Sequence, residues 1–167
     1  MIRFRTATAA DVPALRALVE SAYRGDSARQ GWTHEADLLD DERTSDAELA
    51  ETIADQKARV LLTRIDGKLV GTVTIRDLGE GRAYLGMLCV DPDLQTEGLG
   101  RALIADAEDM AADAFGARTM EMTVIDAREE LIAYYERRGY ARTGELRPFP
   151  LPADVPYKMV VLERRIA

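Results

Sequence analysis

The chain has 167 residues, of which 47% are apolar and 31% charged, with a formal net charge of −8. This profile fits one water-soluble domain, residues 1–167, large enough to bury its own core. It argues against a membrane span, because no apolar run approaches the ~20 residues required, and against a general nucleic-acid binder, whose phosphate-facing surface is basic.

The single cysteine, Cys89, rules out an intrachain disulfide, and the single histidine, His34, leaves no Cys/His spacing that suits zinc. No metal is expected. The two arginines near the N-terminus are not followed by the apolar stretch of a secretory signal, so a cytoplasmic protein is expected.

Ile2–Thr6 alternates apolar and polar residues and predicts a short first strand. Asp11 is expected to cap the following helix, with Pro13 in its first turn and Val12, Leu15, Leu18, Val19 and Ala22 on one stripe. From Tyr23 to Thr44 the periodicity is lost. Ser45 with Glu48 makes a capping box for a second helix that turns Leu49 and Ile53 inward. Ala58–Ile65 and Lys68–Ile75 read as strands joined through Asp66-Gly67, a hairpin signal.

Arg82–Val90 is a longer, nearly continuous apolar strand and is expected to be central. A helix with Leu99, Leu103, Ala107, Met110 and Ala114 on one side follows and stops at Gly116. Arg118–Val124 alternates cleanly, and Ala127–Arg138 reads as a helix ended by Gly139. Tyr140–Arg142, a proline-rich stretch "RPFPLPADVP" and a last strand at Tyr157–Glu163 complete the chain. The order β-α-α-β-β-β-α-β-α-β-β predicts a mixed sheet with helices on both faces.

The stretch "LCVDPDLQTEGLGRALI", Leu88 to Ile104, carries the chemistry. The first N–H groups of a helix lack intrahelical partners and sit at the positive end of its dipole, so they bind phosphate. Gly98 and Gly100 stand where side chains would obstruct such a ligand, and Gln95 and Arg101 supply further donors. A Walker loop would need Lys-Ser/Thr after Gly100, where Arg101-Ala102 stands; a dinucleotide fingerprint would need glycine at Leu103.

Gln95-Thr96-Glu97-Gly98-Leu99-Gly100 matches Q/R-x-x-G-x-G/A behind an apolar strand ending Val-Asp-Pro, and "LIAYYERRGY" follows downstream. Together these resemble the acetyl-CoA motif and the F/L-Y-x-x-x-G-F/Y element of the GNAT superfamily of N-acetyltransferases. The resemblance runs from about Leu85 to Tyr140, and the element order extends it over the whole chain. One departure stands out: Arg128 and Leu131 occupy the positions where many members carry Asn and Ala.

The resemblance implies a GNAT-like α/β fold, with a mixed, mostly antiparallel central sheet and helices on both faces. It implies acetyl-CoA as cosubstrate, with the main chain of Leu88, Cys89 and Val90 beside pantetheine and the thioester. The pyrophosphate would meet Gln95, Thr96, Glu97, Gly98, Leu99, Gly100 and Arg101. It also implies direct transfer to a primary amine of a small molecule or peptide, with Tyr135 as general acid towards the leaving sulfur and Tyr134 facing outward or to the adenine side. Cys89 reads as a small buried strand residue, not an acyl carrier.

The acceptor is expected beside Tyr23–Thr44, where Trp32 would wall a pocket and Glu35 would bind or deprotonate the amine. The Arg147–Pro156 stretch is expected on the other side. A non-catalytic CoA-binding regulatory module is the alternative, and Tyr135 favours the enzyme. The sequence is compatible with a homodimer.

Overall fold

The computed structural model describes residues 2–30, 44–94, 98–148 and 157–167. Seven strands form one sheet in the order β1-β2-β3-β4-β5-β7-β6. In chain order the elements are β1 (Ile2–Thr6), α1 (Val12–Gln30), α2 (Asp46–Ala54), β2 (Ala58–Ile65), β3 (Lys68–Gly79) and β4 (Arg82–Val90). After them come α3 (Leu99–Phe115), β5 (Thr119–Ile125), α4 (Glu129–Arg137), β6 (Ala141–Pro148) and β7 (Lys158–Arg165). Every neighbouring pair is antiparallel except β4 and β5, which run parallel. This is the predicted order and the predicted mixed sheet.

Alternation along the strands divides the core. On β2, Val60 and Leu62 point to one face, where they meet Ala7, Val12, Leu15 and Leu49 under α1 and α2. Leu61 points to the other face and joins Ile75, Leu85, Leu103, Met120 and Ile132 under α3 and α4. Helices therefore cover both faces.

Four expectations are corrected. Asp11 is not an external cap: Thr8 is the N-cap of a short 3-10 turn, Ala9–Asp11, and Asp11 closes its capping box. The Asp11 carboxylate accepts from Arg5 at 2.6 and 2.9 Å, Arg64 at 3.2 Å and the Thr8 amide at 2.8 Å. Helix α1 continues past Ala22 to Gln30, because Arg24, Ala28, Arg29 and Gln30 favour helix without prolonging an apolar stripe. On α3 the buried arc is Leu99, Leu103, Ile104, Ala107 and Ala111, while Ala114 in the last turn is exposed. Strand β6 runs to Pro148 rather than Arg142; it is the outermost strand, exposed except at the half-buried Arg147, and pairs with β7 through its backbone.

Candidate active site

The two edges of β4 are unequal. Towards β3 it is paired from Gly79↔Arg82 to Gly71↔Val90. Towards β5 the pairing is Arg82↔Thr119, Ala83↔Met120 and Tyr84↔Glu121, and there it stops. The rest of β4 therefore presents main-chain donors and acceptors to a gap where a neighbouring strand would lie. Gly86, Met87, Leu88 and Cys89 are half-buried, as residues beside such a gap should be.

Inside this stretch β4 carries an extra residue. Thr72 pairs with Cys89 and Thr74 with Gly86, so three steps on β4 oppose two on β3. Met87 absorbs the difference at φ +52°, a left-handed conformation costly for a side chain with a Cβ. The bulge turns main-chain groups of β4 away from the regular ladder beside the open edge. At the apex of the gap the Tyr84 hydroxyl lies 2.7 Å from Thr123 Oγ1, tying β4 to β5 just beyond their last pair.

The other end of the gap meets the start of α3. Pro92–Leu94 forms a 3-10 turn, and Gly98 is the N-cap of α3 at φ +75°. A Cβ on Gly98 would meet nothing within 4 Å, so this glycine answers a backbone requirement and opens onto empty space. Gly100 has a different reason: a Cβ there would lie 3.2 Å from the Tyr134 hydroxyl. Tyr134 is thus half-buried against the helix start, not outward, and the Arg138 guanidinium stands 5.1 Å from its ring centre.

The remaining predicted residues fall into place unevenly. Leu99 is buried in the core, so only its main chain is available to a ligand, as is that of the buried Val90. Arg101 is exposed at the helix start. Cys89 is half-buried rather than buried, because its strand has an open edge. Gln95, Thr96, Glu97, Trp32 and Glu35 lie outside the described residues, as do residues 149–156 of the proline-rich stretch.

Tyr135 is 8% exposed and packs edge-to-face on Tyr134, with ring centres 5.4 Å apart, and on Tyr140 at 6.4 Å. The Tyr140 hydroxyl donates to Glu108 at 2.8 Å, and Arg164 donates to the same carboxylate at 2.7 Å. Burial, followed by the Glu108 charge, pushes the Tyr140 phenol well above its ordinary pKa. It is a fixed donor that pins α4 to α3. Arg128, in place of the Asn of many family members, is the N-cap of α4 and makes no side-chain cap; it stands 3.8 Å from Glu130.

On the α2 face, beyond the helices, a charged cluster spans four strands. Arg82 pairs with Glu121 at 2.9 Å and Glu163 at 2.8 Å; Arg147 pairs with Glu121 at 2.8 Å and Glu145 at 2.7 Å. Burial pushes the Glu121 carboxyl up, but the hydrogen bonds from Arg147 and Arg82 outweigh it and leave it below the usual range. Beside this cluster a hollow of about 390 Å³ opens between α2 and strands β3 and β4, with Tyr84, Gly86 and Met87 in its lining. A second hollow of about 490 Å³, between the end of α2 and strands β1 and β2, lies away from the open edge of β4.

Tyr84, Gly86 and Thr123 were not singled out from the sequence. The one signal for them was Gly86, a glycine inside a strand, which marks a close approach.

A one-sided central strand with a bulge, opening onto a glycine-started helix, fits the site that the sequence resemblance implies. Residues 15–140 match the model of the acetyltransferase (GNAT) family, and the chain belongs to that family. The S-(2-succino)cysteine N-acetyltransferase of Bacillus subtilis (strain 168) is 31% identical over 87 residues, and the match spans 48% of this chain and 53% of that relative. The chain therefore aligns with about half the length of this curated relative.

Among solved structures, the Escherichia coli ribosomal-protein-S18-alanine N-acetyltransferase superposes with a TM-score of 0.77 at 21% identity, covering 100% of this chain and 95% of that one. A probable acetyltransferase from Staphylococcus epidermidis ATCC 12228 gives 0.79 at 14% identity over 100% of both chains. The PaiA N-acetyltransferase of Thermoplasma acidophilum, solved with coenzyme A, gives 0.75 at 16% identity over 99% of both. At these identities the likeness is one of fold.

Proposed function

We propose that this acetyltransferase uses acetyl-CoA to acetylate a primary amine of a small molecule or peptide, by direct transfer. The observation that carries the reading is the one-sided pairing of β4, with its bulge at Met87, in line with the start of α3. Acetyl-CoA supplies an activated acyl carbon and a thiol leaving group. The main chain of Leu88, Cys89 and Val90 offers strand-like hydrogen bonds to an extended, amide-bearing arm. Main-chain N–H groups at the bulge receive the charge that builds on a carbonyl oxygen beside them.

At the start of α3 the amides following Gly98 take a diphosphate, helped by the side chains of Arg101 and Gln95 and by the main-chain N–H groups of Thr96 and Glu97. The left-handed φ of Gly98 and the open space on its Cβ side fit that role. An alkylamine has a reference pKa near ~10.4 and a thiol near about 8.5, so the amine must lose a proton and the sulfur must be stabilised. We assign proton donation to Tyr135, which packs on Tyr134 and through it reaches the start of α3. Glu35 is assigned as the base or amine contact, and Trp32 as a wall of the acceptor pocket.

Calorimetric titration with acetyl-CoA, followed by an acetylation screen over amines, tests the reading. Micromolar binding, on the order of −8 kcal/mol, and acetyl transfer to at least one amine are expected. Binding without transfer to any amine would leave a regulatory CoA-binding module in its place.

A further inference from the structure

The hollow between α2 and strands β3 and β4 adjoins the bulge, and its lining has a definite charge pattern. A volume of about 390 Å³ lies at the small end of ligand pockets, roughly 300–1,000 Å³, and suits a metabolite. Two cross-strand pairs form its floor: Arg76↔Tyr84 at one end and Thr74↔Gly86 at the other, with Met87 next along β4. Two residues along a strand separate these pairs by about 7 Å.

The floor is built for access. A Cβ on Gly86 would fall 3.0 Å from Cε1 of Tyr84, so the ring lies along the strand over the space that a side chain at 86 would fill. The Tyr84 hydroxyl is held by Thr123 at 2.7 Å, which fixes the ring. Any larger residue at 86 would displace the ring and block the approach to the bulge.

Arg76 is the one basic residue among the described residues that line this hollow. Its guanidinium donates to Thr52 Oγ1 at 3.2 Å and stands 3.8 Å from Asp55, beyond hydrogen-bond length. A half-exposed pair of this kind adds little to stability. A guanidinium carries five N–H donors in a planar fork that matches a carboxylate, and this one has donors to spare at the mouth of a cavity. Glu48 also lines the hollow, one turn before Thr52 on the same side of α2, about 6 Å along the helix axis. Glu51 lines it as well, so the hollow presents one guanidinium and two exposed carboxylates: the first can take an acid group and the others an ammonium.

We propose that this hollow is the acceptor site and that it takes an amine bearing a carboxylate, an amino acid or close derivative. Arg76 holds the carboxylate, and the amine points along the Tyr84–Gly86 floor towards the bulge. The proposal rests on the N-acetyltransferase reading above.

The test compares amines with and without the acid: phenylalanine with phenethylamine, leucine with isoamylamine, tyrosine with tyramine, together with S-substituted cysteines and their cysteamine counterparts. Initial rates are measured for the parent, Arg76→Gln and Arg76→Lys. In the parent, kcat/KM should favour the acid of each accepted pair. In Arg76→Gln the preference should fall about ten- to a hundredfold, the range for a hydrogen bond to a charged group, through KM for the acceptor, with acetyl-CoA affinity unchanged. Arg76→Lys should recover part of it. A parent that prefers the amines lacking the acid, or a preference unmoved in Arg76→Gln, overturns the proposal while leaving the transferase reading intact. A parent that binds acetyl-CoA and acetylates no amine removes both.

Discussion

Strand β4 has one edge that is closed and one that is open. Its β3 side is paired over the whole strand, interrupted by two register shifts, and buries Val73, Ile75 and Leu85. Its β5 side is paired at three rungs and then abandoned. The same backbone thus serves two purposes. On the closed side its hydrogen bonds hold the fold; on the open side the same kind of group has no strand partner and is the one proposed to meet the ligand. Residues beyond the strand keep the gap from closing: Tyr84 and Thr123 brace its apex, and Gly98 starts a helix at its far end.

The largest effect should come from the open side. Gly98→Val would place a branched side chain on a backbone at φ +75° and into the space facing the diphosphate. The backbone alone costs about 1–2 kcal/mol. Acetyl-CoA affinity should drop by about a hundredfold or more, ~2.7 kcal/mol, with the fold retained. Calorimetry on a variant with a native circular dichroism spectrum decides it; undiminished affinity would remove the phosphate role of this helix start.

Tyr135→Phe tests the same side chemically. The ring stays between Tyr134 and Tyr140, so packing should survive. Loss of a general acid typically lowers rates about 10²–10⁴-fold, and the low end is expected because a thiolate leaves readily. Single-turnover rates are the measurement, since product release can mask the step in kcat. Rates equal to the parent's would make Tyr135 a packing residue and leave the acetyl-CoA site standing.

The closed half of the sheet should answer in stability instead. Asp11, 6% exposed, joins β1, β2 and the entry to α1 through Arg5, Arg64 and the Thr8 amide. The Arg5 hydrogen bonds hold its carboxyl far below the usual range. Asp11→Asn should cost about 2–3 kcal/mol, because the amide oxygen can still accept from Thr8 while two arginines lose their anion. A depressed folded pKa stabilises above the unfolded value, about 3.9, and that stability is lost as pH falls through it towards the folded value. The parent's acid unfolding limb should therefore be steeper than the variant's. Urea melts at neutral and acid pH compare the two, and parallel pH profiles would discount this carboxylate.

How much of this was legible beforehand follows the same division. Elements that bury an apolar face announced themselves through periodicity, as Val60 to Leu62 and Leu99 to Ala107 did. Elements without a buried apolar face did not: β6 is exposed except at the half-buried Arg147 and offers no alternation past Arg142. The helix starting at Gly98 was readable because glycine near a helix start has few physical causes. The gap between Leu85–Val90 and Met122–Ile125 was legible only through the family resemblance, which puts pantetheine beside Leu88, Cys89 and Val90, because no residue type encodes an absent partner. Tyr84 and Arg76 were hidden for a related reason: their partners, Thr123 and Thr52, are distant in sequence.

The smallest expected effect separates the two glycines of the loop. Gly98 opens onto empty space, whereas Gly100 sits under the Tyr134 hydroxyl, 3.2 Å from where a Cβ would be. Gly100→Ala should gain about 1 kcal/mol of helix propensity and lose a similar amount by pushing the Tyr134 ring, which Arg138 and Tyr135 confine. The net change in stability should be near zero. Tyr134→Phe removes only the hydroxyl and makes room, so adding Gly100→Ala in that background should stabilise by about 0.5–1 kcal/mol. A double-mutant cycle on urea melts reads the coupling directly. Coupling below about 0.3 kcal/mol, within the additivity expected of independent sites, would mean that Gly100 is not there for Tyr134. The bare Cα would then belong to the ligand, as proposed for Gly98, and acetyl-CoA affinity should fall in Gly100→Ala whether residue 134 is Tyr or Phe.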